Sequence, residues 1–406
     1  MKYLFVHQNF PGQFLYLIQR LNARPGNEIV FICEPNESVI PGVRKAIYRL
    51  PPKDMDAIHP GAHELEKGLR RAEYVARTAR SLKQLGFEPD IIIGHHGWGE
   101  LLDLVDVFPT TPILGYFEFF YATHDLDVGF DDEFPQAANL LANVRAKNAI
   151  NLQALMLGQH GQTPTQFQRD TYPDWAQPQI RLIAEGADLD KCRPAPKRAR
   201  KDQDICGVHV GADEKLVTYV SRDLEPYRGF HVFMRALPRI LDERPDARVI
   251  LVGGDGVSYG ARLVNATWRD TMLRELGDRI DPSRVHFVGK VPYDSFRALL
   301  KRSDAHVYLT YPFVASWSLR EALATGCVVV GSDTAPVSEF VQDGKNGLLV
   351  PFLQPERIAQ GVLEVLEDQK LARKLSKGAR AYAESHLDQE RCLDLYEQEI
   401  ARIVGP

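Results

Sequence analysis

The feature that most constrains this chain is a periodicity that occurs twice. Short apolar runs suited to buried strands alternate with longer stretches of helical period. In the first series, Tyr3–Val6, Glu28–Cys33, Ile91–Gly94 and Pro112–Tyr116 read as strands. Leu65–Leu85 reads as a long amphipathic helix with Leu65, Leu69, Ala72, Val75, Ala79 and Leu82 on one face. In the second, Leu216–Val220, Arg248–Val252, Arg284–Val288, His306–Thr310 and Val328–Val330 read as strands, with helices over Gly229–Leu241 and around Arg320–Ala324. Strands that alternate with helices call for parallel sheets with right-handed crossovers. The expected fold class is therefore α/β: two Rossmann-like, doubly wound domains facing across a cleft. Asp188–Lys201, polar, basic and proline-containing, reads as the linker between them.

The length of 406 residues exceeds one ordinary core and agrees with two domains. A net charge of -5 gives no basic excess, so nucleic acid is not an expected partner. The five cysteines, Cys33, Cys192, Cys206, Cys327 and Cys392, are odd in number and lack CxxC spacing. They suggest a reducing compartment, hence the cytoplasm, and no structural zinc. The apolar run at Met1–Val6 is too short for a signal peptide, and no apolar window is long enough to span a bilayer. Any membrane contact would be peripheral. Lys67, Arg70, Arg71, Arg77, Arg80 and Lys83 on the long helix make a basic face possible, tempered by Glu66 and Glu73.

Open α/β sheets bind ligands at the carboxyl ends of their strands. In the second series one strand end carries Val220-Ser221-Arg222-Asp223-Leu224-Glu225-Pro226-Tyr227-Arg228-Gly229. Arg222 and Arg228 are permanent cations able to stabilise a departing diphosphate. Taken alone, the segment fits a solvated loop with ordinary arginines better. A second strand end leads through Tyr311-Pro312-Phe313-Val314-Ala315-Ser316-Trp317-Ser318-Leu319-Arg320-Glu321 into a helix. Free backbone N–H groups at that start suit phosphate, and Glu321, one turn in, could accept hydrogen bonds from a ribose diol. Asp343-Gly344 and Asn346-Gly347-Leu348-Leu349-Val350 form a turn closing the last strand.

In order and spacing these segments resemble the retaining family-4 glycosyltransferases of the two-Rossmann (GT-B) type. Ser221-Arg222 with Arg228-Gly229 is similar to that family's Gly-Arg…Lys-Gly pattern, with Arg228 in the lysine place. Glu185-Gly186-Ala187-Asp188, Phe287-Val288-Gly289-Lys290-Val291, Glu321-Ala322-Leu323-Ala324-Thr325-Gly326 and Val330-Gly331-Ser332-Asp333 resemble further blocks. The resemblance implies a hexosyltransferase that takes a nucleotide-diphosphate sugar (UDP- or GDP-linked) as donor and a glycan, lipid-linked or small-molecule hydroxyl as acceptor, with no metal or other cofactor. It implies an acceptor-side domain over residues 1–190, a nucleotide-sugar domain over 191–387, and a last helix from about residue 388 that crosses back onto the first domain, with a hinge near Asp188–Pro194. By it, Arg222 and Arg228 hold the diphosphate, the backbone at Ser316, Trp317, Ser318 and Leu319 its distal phosphate, and Glu321 the ribose. Lys290 and Val291 flank the base. Phe313 stands where the family carries the first Glu of its Glu-x7-Glu motif, usually turned to the sugar.

In the first series, Asn9-Phe10-Pro11-Gly12 lies where the family carries a loop over the donor phosphates. Gly12 allows close backbone approach, and a plain strand-to-helix turn would need it too. Asn9, His95, His96 and Phe313 are candidates for contact with acceptor or sugar. His95 and His96 end a strand beside Gly97, Trp98 and Gly99, and no third residue at sensible spacing makes them a metal site. Glu118, in the aromatic run Tyr116–Phe120, is the expected catalytic carboxylate; the alternative is a structural ion pair with an arginine such as Arg145. Asp125-Leu126-Asp127 and Asp202-Gln203-Asp204 read as solvated loop carboxylates. Two other functions keep this fold: a phosphorylase or epimerase on sugar phosphates or nucleotide sugars, and a non-catalytic subunit that binds a nucleotide sugar. A dehydrogenase fits least, because no G-x-G-x-x-G follows Val6.

Overall fold

The computed structural model describes residues 1–134, 140–195 and 201–405. Contacts divide it into two units, Met1–Glu185 with Arg391–Pro406, and Gly186–Glu390.

The first unit holds a seven-stranded sheet of β1 (Lys2–Val6), β2 (Glu28–Cys33), β3 (Val43–Ile47), β4 (Ile91–His95), β5 (Ile113–Tyr116), β6 (His160–Thr163) and β7 (Ile180–Leu182), in the order β3-β2-β1-β4-β5-β6-β7. Every pairing is parallel. Its helices are α1 (Leu15–Asn22), α2 (His63–Gln84), α3 (Leu104–Val107), α4 (Leu140–Met156) and α5 (Gln166–Asp170). Strand β1 shows why the run is apolar on both sides. Leu4 and Val6 pack under α2 and α3, whereas Tyr3 and Phe5 pack on the opposite face with Leu17 and Ile18 of α1 and with Ile400 near the C-terminus. That terminal segment is also tied by charge, with Arg20 reaching Glu397 at 2.9 Å.

The second unit holds a six-stranded parallel sheet of β10 (Lys215–Asp223), β11 (Ala247–Gly254), β12 (Val285–Phe287), β13 (Ala305–Tyr308), β14 (Val329–Ser332) and β15 (Leu348–Val350), in the order β12-β11-β10-β13-β14-β15. A small antiparallel hairpin, β8 (Gln203–Ile205) and β9 (Val208–Val210), precedes it. Its helices are α6 (Phe230–Glu243), α7 (Trp268–Leu276), α8 (Tyr293–Arg302), α9 (Trp317–Thr325), α10 (Ala335–Ser338), α11 (Pro355–Glu367) and α12 (Gln369–His386); α13 (Gln389–Val404) follows.

Strand order reverses beside β1 and β4 in the first sheet, and beside β10 and β13 in the second. Such switch points are where doubly wound sheets open a ligand crevice at their carboxyl ends.

Four local expectations are corrected. The segment at Asp188–Cys192 is packed rather than linker-like: Cys192 is fully buried, and Arg380 donates to the carbonyls of Leu189, Cys192 and Ala324. Residues 196–200 of that stretch lie outside the described residues. On α2, Leu69 is 42% exposed, and the buried stripe is Gly68, Ala72, Val75, Ala76, Ala79 and Leu82. The basic face of α2 is largely neutralised, since Lys67 pairs with Glu64, Arg77 with Glu73, Arg71 with Glu34 and Lys83 with Glu88. Asp127 is buried, not solvated. No helix among the described residues is long and apolar enough to cross a membrane.

Candidate functional site

The second unit gathers charge at its switch point. Strand β10 ends in Arg222, which is exposed, and Asp223, which is buried. Burial would raise the Asp223 carboxyl, but the Ser258 hydroxyl at 2.6 Å and the Lys290 ammonium at 3.2 Å outweigh it and hold its pKa down. Lys290 is otherwise exposed, and Val291 beside it packs into the core.

Arg228 follows a short turn and is buried at 7% exposure. It is the last residue before Gly229, whose φ of 71° and proximity to Leu309 exclude a side chain. One Arg228 nitrogen donates to Thr310 Oγ1 at 2.7 Å and to the Val314 carbonyl at 2.9 Å. Its guanidinium carbon lies 5.0 Å from the Tyr259 ring centroid.

Beyond β13 the chain passes Phe313 and enters α9. Phe313 is 4% exposed and packs against Tyr227 and Tyr259, so the side chain in the place of the family's carboxylate is sealed in an aromatic group. The start of α9 is left without a side-chain cap: Ser316, the N-cap residue, bonds instead to the Ser318 hydroxyl and to Tyr308. Leu319 is fully buried, and its amide donates to the Ser316 carbonyl at 3.2 Å. Glu321 is partly buried; burial raises its pKa, and the Tyr293 hydroxyl donates to it at 2.6 Å.

In the first unit, β1 runs into His7. His7 Nδ1 lies 2.9 Å from both the amide nitrogen and the carbonyl oxygen of Asn9, accepting from the first or donating to the second according to its tautomer. Burial, then the neighbouring His95, lower its pKa to about 3. Asn9 itself is exposed. Gly12 has φ +58°, and a Cβ there would come within 3.0 Å of the His7 ring.

His95 ends β4. Its Nδ1 accepts the Gly97 amide at 3.0 Å, so its proton stands on Nε2, 3.4 Å from Glu118 Oε2. Burial would raise Glu118, but His95 and, less strongly, His7 and Lys147 hold its pKa below the usual range. The partner of Glu118 is thus His95 rather than Arg145. His96, expected beside His95 as a ligand contact, is instead fully buried: its ring lies on Gly115 and against Phe117, and burial lowers its pKa to about 3. The two adjacent histidines have opposite surroundings because His96, one residue past β4 and still bonded through its amide to the Tyr116 carbonyl, continues the strand's alternation of faces.

Several residues here escaped the sequence reading. Lys147 of α4 lies 3.8 Å from the Tyr121 ring centroid, its pKa lowered by burial against the pull of Glu64, Asp127 and Glu118. Glu100 is fully buried beneath Tyr48. In the second unit, Asp223, Glu225, Tyr259 and Tyr293 organise the groups that were named. Asp223 and Glu225 sit inside a segment already singled out, yet nothing in their spacing told a buried carboxylate from a solvated one.

Residues 25–192 match the glycosyl transferase family 4 group, and residues 207–382 match the glycosyl transferases group 1. The chain belongs to the group 1/family 4 glycosyltransferases. It is 28% identical over 199 residues to a D-inositol 3-phosphate glycosyltransferase of Corynebacterium urealyticum, covering 48% of this chain and 45% of that one. The chain spans about half the length of the curated relatives it matches. Among solved structures it resembles sucrose-phosphate synthase from Thermosynechococcus elongatus, with a TM-score of 0.71 at 18% identity over 99% of this chain and 100% of that one. It also resembles Anabaena HepE in complex with UDP-glucose, with a TM-score of 0.66 at 19% identity over 99% and 100%. These likenesses give the chain the GT-B fold.

Proposed function

We propose that the chain transfers a hexose-type sugar from a nucleoside-diphosphate sugar to a hydroxyl acceptor, with retention at the anomeric carbon. The observation that carries this reading is the second unit's switch point. Arg222, Arg228 and the uncapped start of α9 supply positive charge there, and Glu321 stands one turn into α9. A departing nucleoside diphosphate needs that charge, and fixed cations with a helix start supply it without reorganisation. The same groups do the work a metal ion would do, so we assign the reaction no metal. UDP-glucose in HepE makes a uridine donor the first to try.

The acceptor oxygen forms the new bond to the anomeric carbon as the bond from that carbon to the phosphate oxygen breaks. The acceptor's proton passes to the leaving phosphate on the same face, so no enzymic nucleophile takes part. We assign the His95–Glu118 pair of the first unit to orienting the acceptor hydroxyl or the transferred sugar.

A second reading, a subunit that binds nucleotide sugar without turnover, is favoured by the sealed Phe313. Incubating the protein with UDP-glucose or GDP-mannose and a panel of hydroxyl acceptors, with and without EDTA, tests both. Product of retained configuration that persists in EDTA supports transfer. Binding with neither transfer nor donor hydrolysis supports the second reading, and loss of turnover in EDTA that added metal restores would contradict the metal-free assignment.

A further inference from the structure

One turn of the second unit is built around a buried carboxylate that the reading above does not use. Glu225 is fully buried. Its Oε1 accepts the Ser258 amide at 3.1 Å, and its Oε2 accepts the amides of Tyr259 at 3.1 Å and Gly260 at 2.9 Å. Three backbone donors on one carboxylate is a closed arrangement that fixes the turn after β11. The turn is held a second time where the Ser258 hydroxyl donates to Asp223, the partner of Lys290. What it presents is Tyr259. That ring lies 5.0 Å from the Arg228 guanidinium carbon and 5.0 Å from the Phe313 ring, with 37% of the residue exposed. Tyr311 and Phe313 in the same aromatic group are each 4% exposed.

We propose that Tyr259 is the specificity-determining residue that meets the sugar of the donor, and that Glu225 is the positioning residue behind it. This rests on the donor reading above. On that reading the diphosphate lies at Arg228 and the start of α9, and the nucleoside lies towards Glu321, Tyr293, Lys290 and Val291. A diphosphate joins nucleoside and sugar at opposite ends, so the remaining flank of Arg228 faces the sugar. That flank is an aromatic face whose nearby carboxylates, Asp223 and Glu225, already have donors. Such a surface suits the C–H face of an uncharged pyranose, whose ring hydroxyls stay free for other partners.

The test compares affinities within nucleotide pairs, UDP with UDP-glucose and GDP with GDP-mannose, for the wild type, Tyr259→Ala, Tyr259→Phe and Glu225→Gln. The expected result is that Tyr259→Ala leaves the free diphosphate bound as before but weakens the sugar nucleotide about three- to tenfold. Tyr259→Phe keeps most of the wild-type ratio. Glu225→Gln shifts the ratio in the same direction as Tyr259→Ala and speeds amide exchange at residues 258–260, because an amide cannot accept three N–H donors on two oxygens. An equal loss for both members of a pair in Tyr259→Ala would overturn the assignment and give Tyr259 to the phosphate or base. If Glu225→Gln does not fold, the two Tyr259 variants decide alone. If no nucleotide binds the wild type, the donor reading itself fails, and this inference with it.

Discussion

Glu118 Oε2 stands 3.4 Å from Nε2 of His95, and the Gly97 amide on the other ring nitrogen turns the histidine's proton towards that carboxylate. The pair joins the ends of two neighbouring strands, β4 and β5, whose register sets His95 opposite Tyr116. An ionised carboxylate facing a ring N–H is a group that accepts or orients, not one that donates a proton at neutral pH.

Glu118→Gln should therefore lower turnover by about tenfold or more and leave donor affinity within about twofold, because the second unit holds the nucleotide. Steady-state kinetics with separate donor titration checks this. The pH dependence has a fixed sign. The folded-state pKa of Glu118 is depressed, so the stability the pair contributes is present above the ordinary glutamate pKa and is lost as pH falls through the lower folded value. Glu118→Gln should flatten the acid limb of the stability curve.

Glu100 titrates with the opposite sign. Burial raises its pKa, against the pull of Arg71 and the Tyr48 hydrogen bond. Its contribution is fully present below the ordinary glutamate pKa and is lost as pH rises through the folded value. Glu100→Gln keeps an acceptor for Tyr48 and removes the buried charge. It should raise the melting temperature by a few degrees at pH 8, on the order of 1 kcal/mol, with a smaller gain at pH 5.

Gly115 is fixed by His96. A Cβ there would stand 1.9 Å from His96 Cδ2 in a fully buried site. Gly115→Ala should cost about 1–3 kcal/mol of stability, read by denaturant unfolding. Adding His96→Ala should restore part of that loss, since the two changes share one contact and are not additive.

The regular parts of the fold were legible because their residues are apolar on both faces. Tyr3–Val6 and Leu216–Tyr219 are continuous buried runs, and only a strand inside a parallel sheet asks for that. Strand β3, Val43–Ile47, was missed because an edge strand of sequence VRKAI has no apolar face to announce it. The three-residue strands β7, β8 and β9 are too short for any period to show. At the site, Arg222, Arg228, Lys290 and Glu321 could be named from their pattern, but which groups hold them could not. Glu225 reaches Ser258–Gly260, 33 to 35 residues away, and that distance is set by the fold alone. His95 and His96 were indistinguishable as letters; one residue of strand register gives the first a carboxylate and the second a phenyl ring.

The account turns on a nucleoside diphosphate at the second unit's switch point, and a thermal-shift measurement with UDP, GDP, ADP and their hexose conjugates tests it most directly. The wild type and Arg222→Ala should be run side by side, since Arg222 is exposed and its loss should change stability by no more than about 0.5 kcal/mol. The account predicts one clear responder, gaining about 2.7 kcal/mol at roughly 100 times its dissociation constant. It predicts a much weaker response from Arg222→Ala at the same concentration. No response of the wild type to any nucleotide, or an identical response from both proteins, would contradict it.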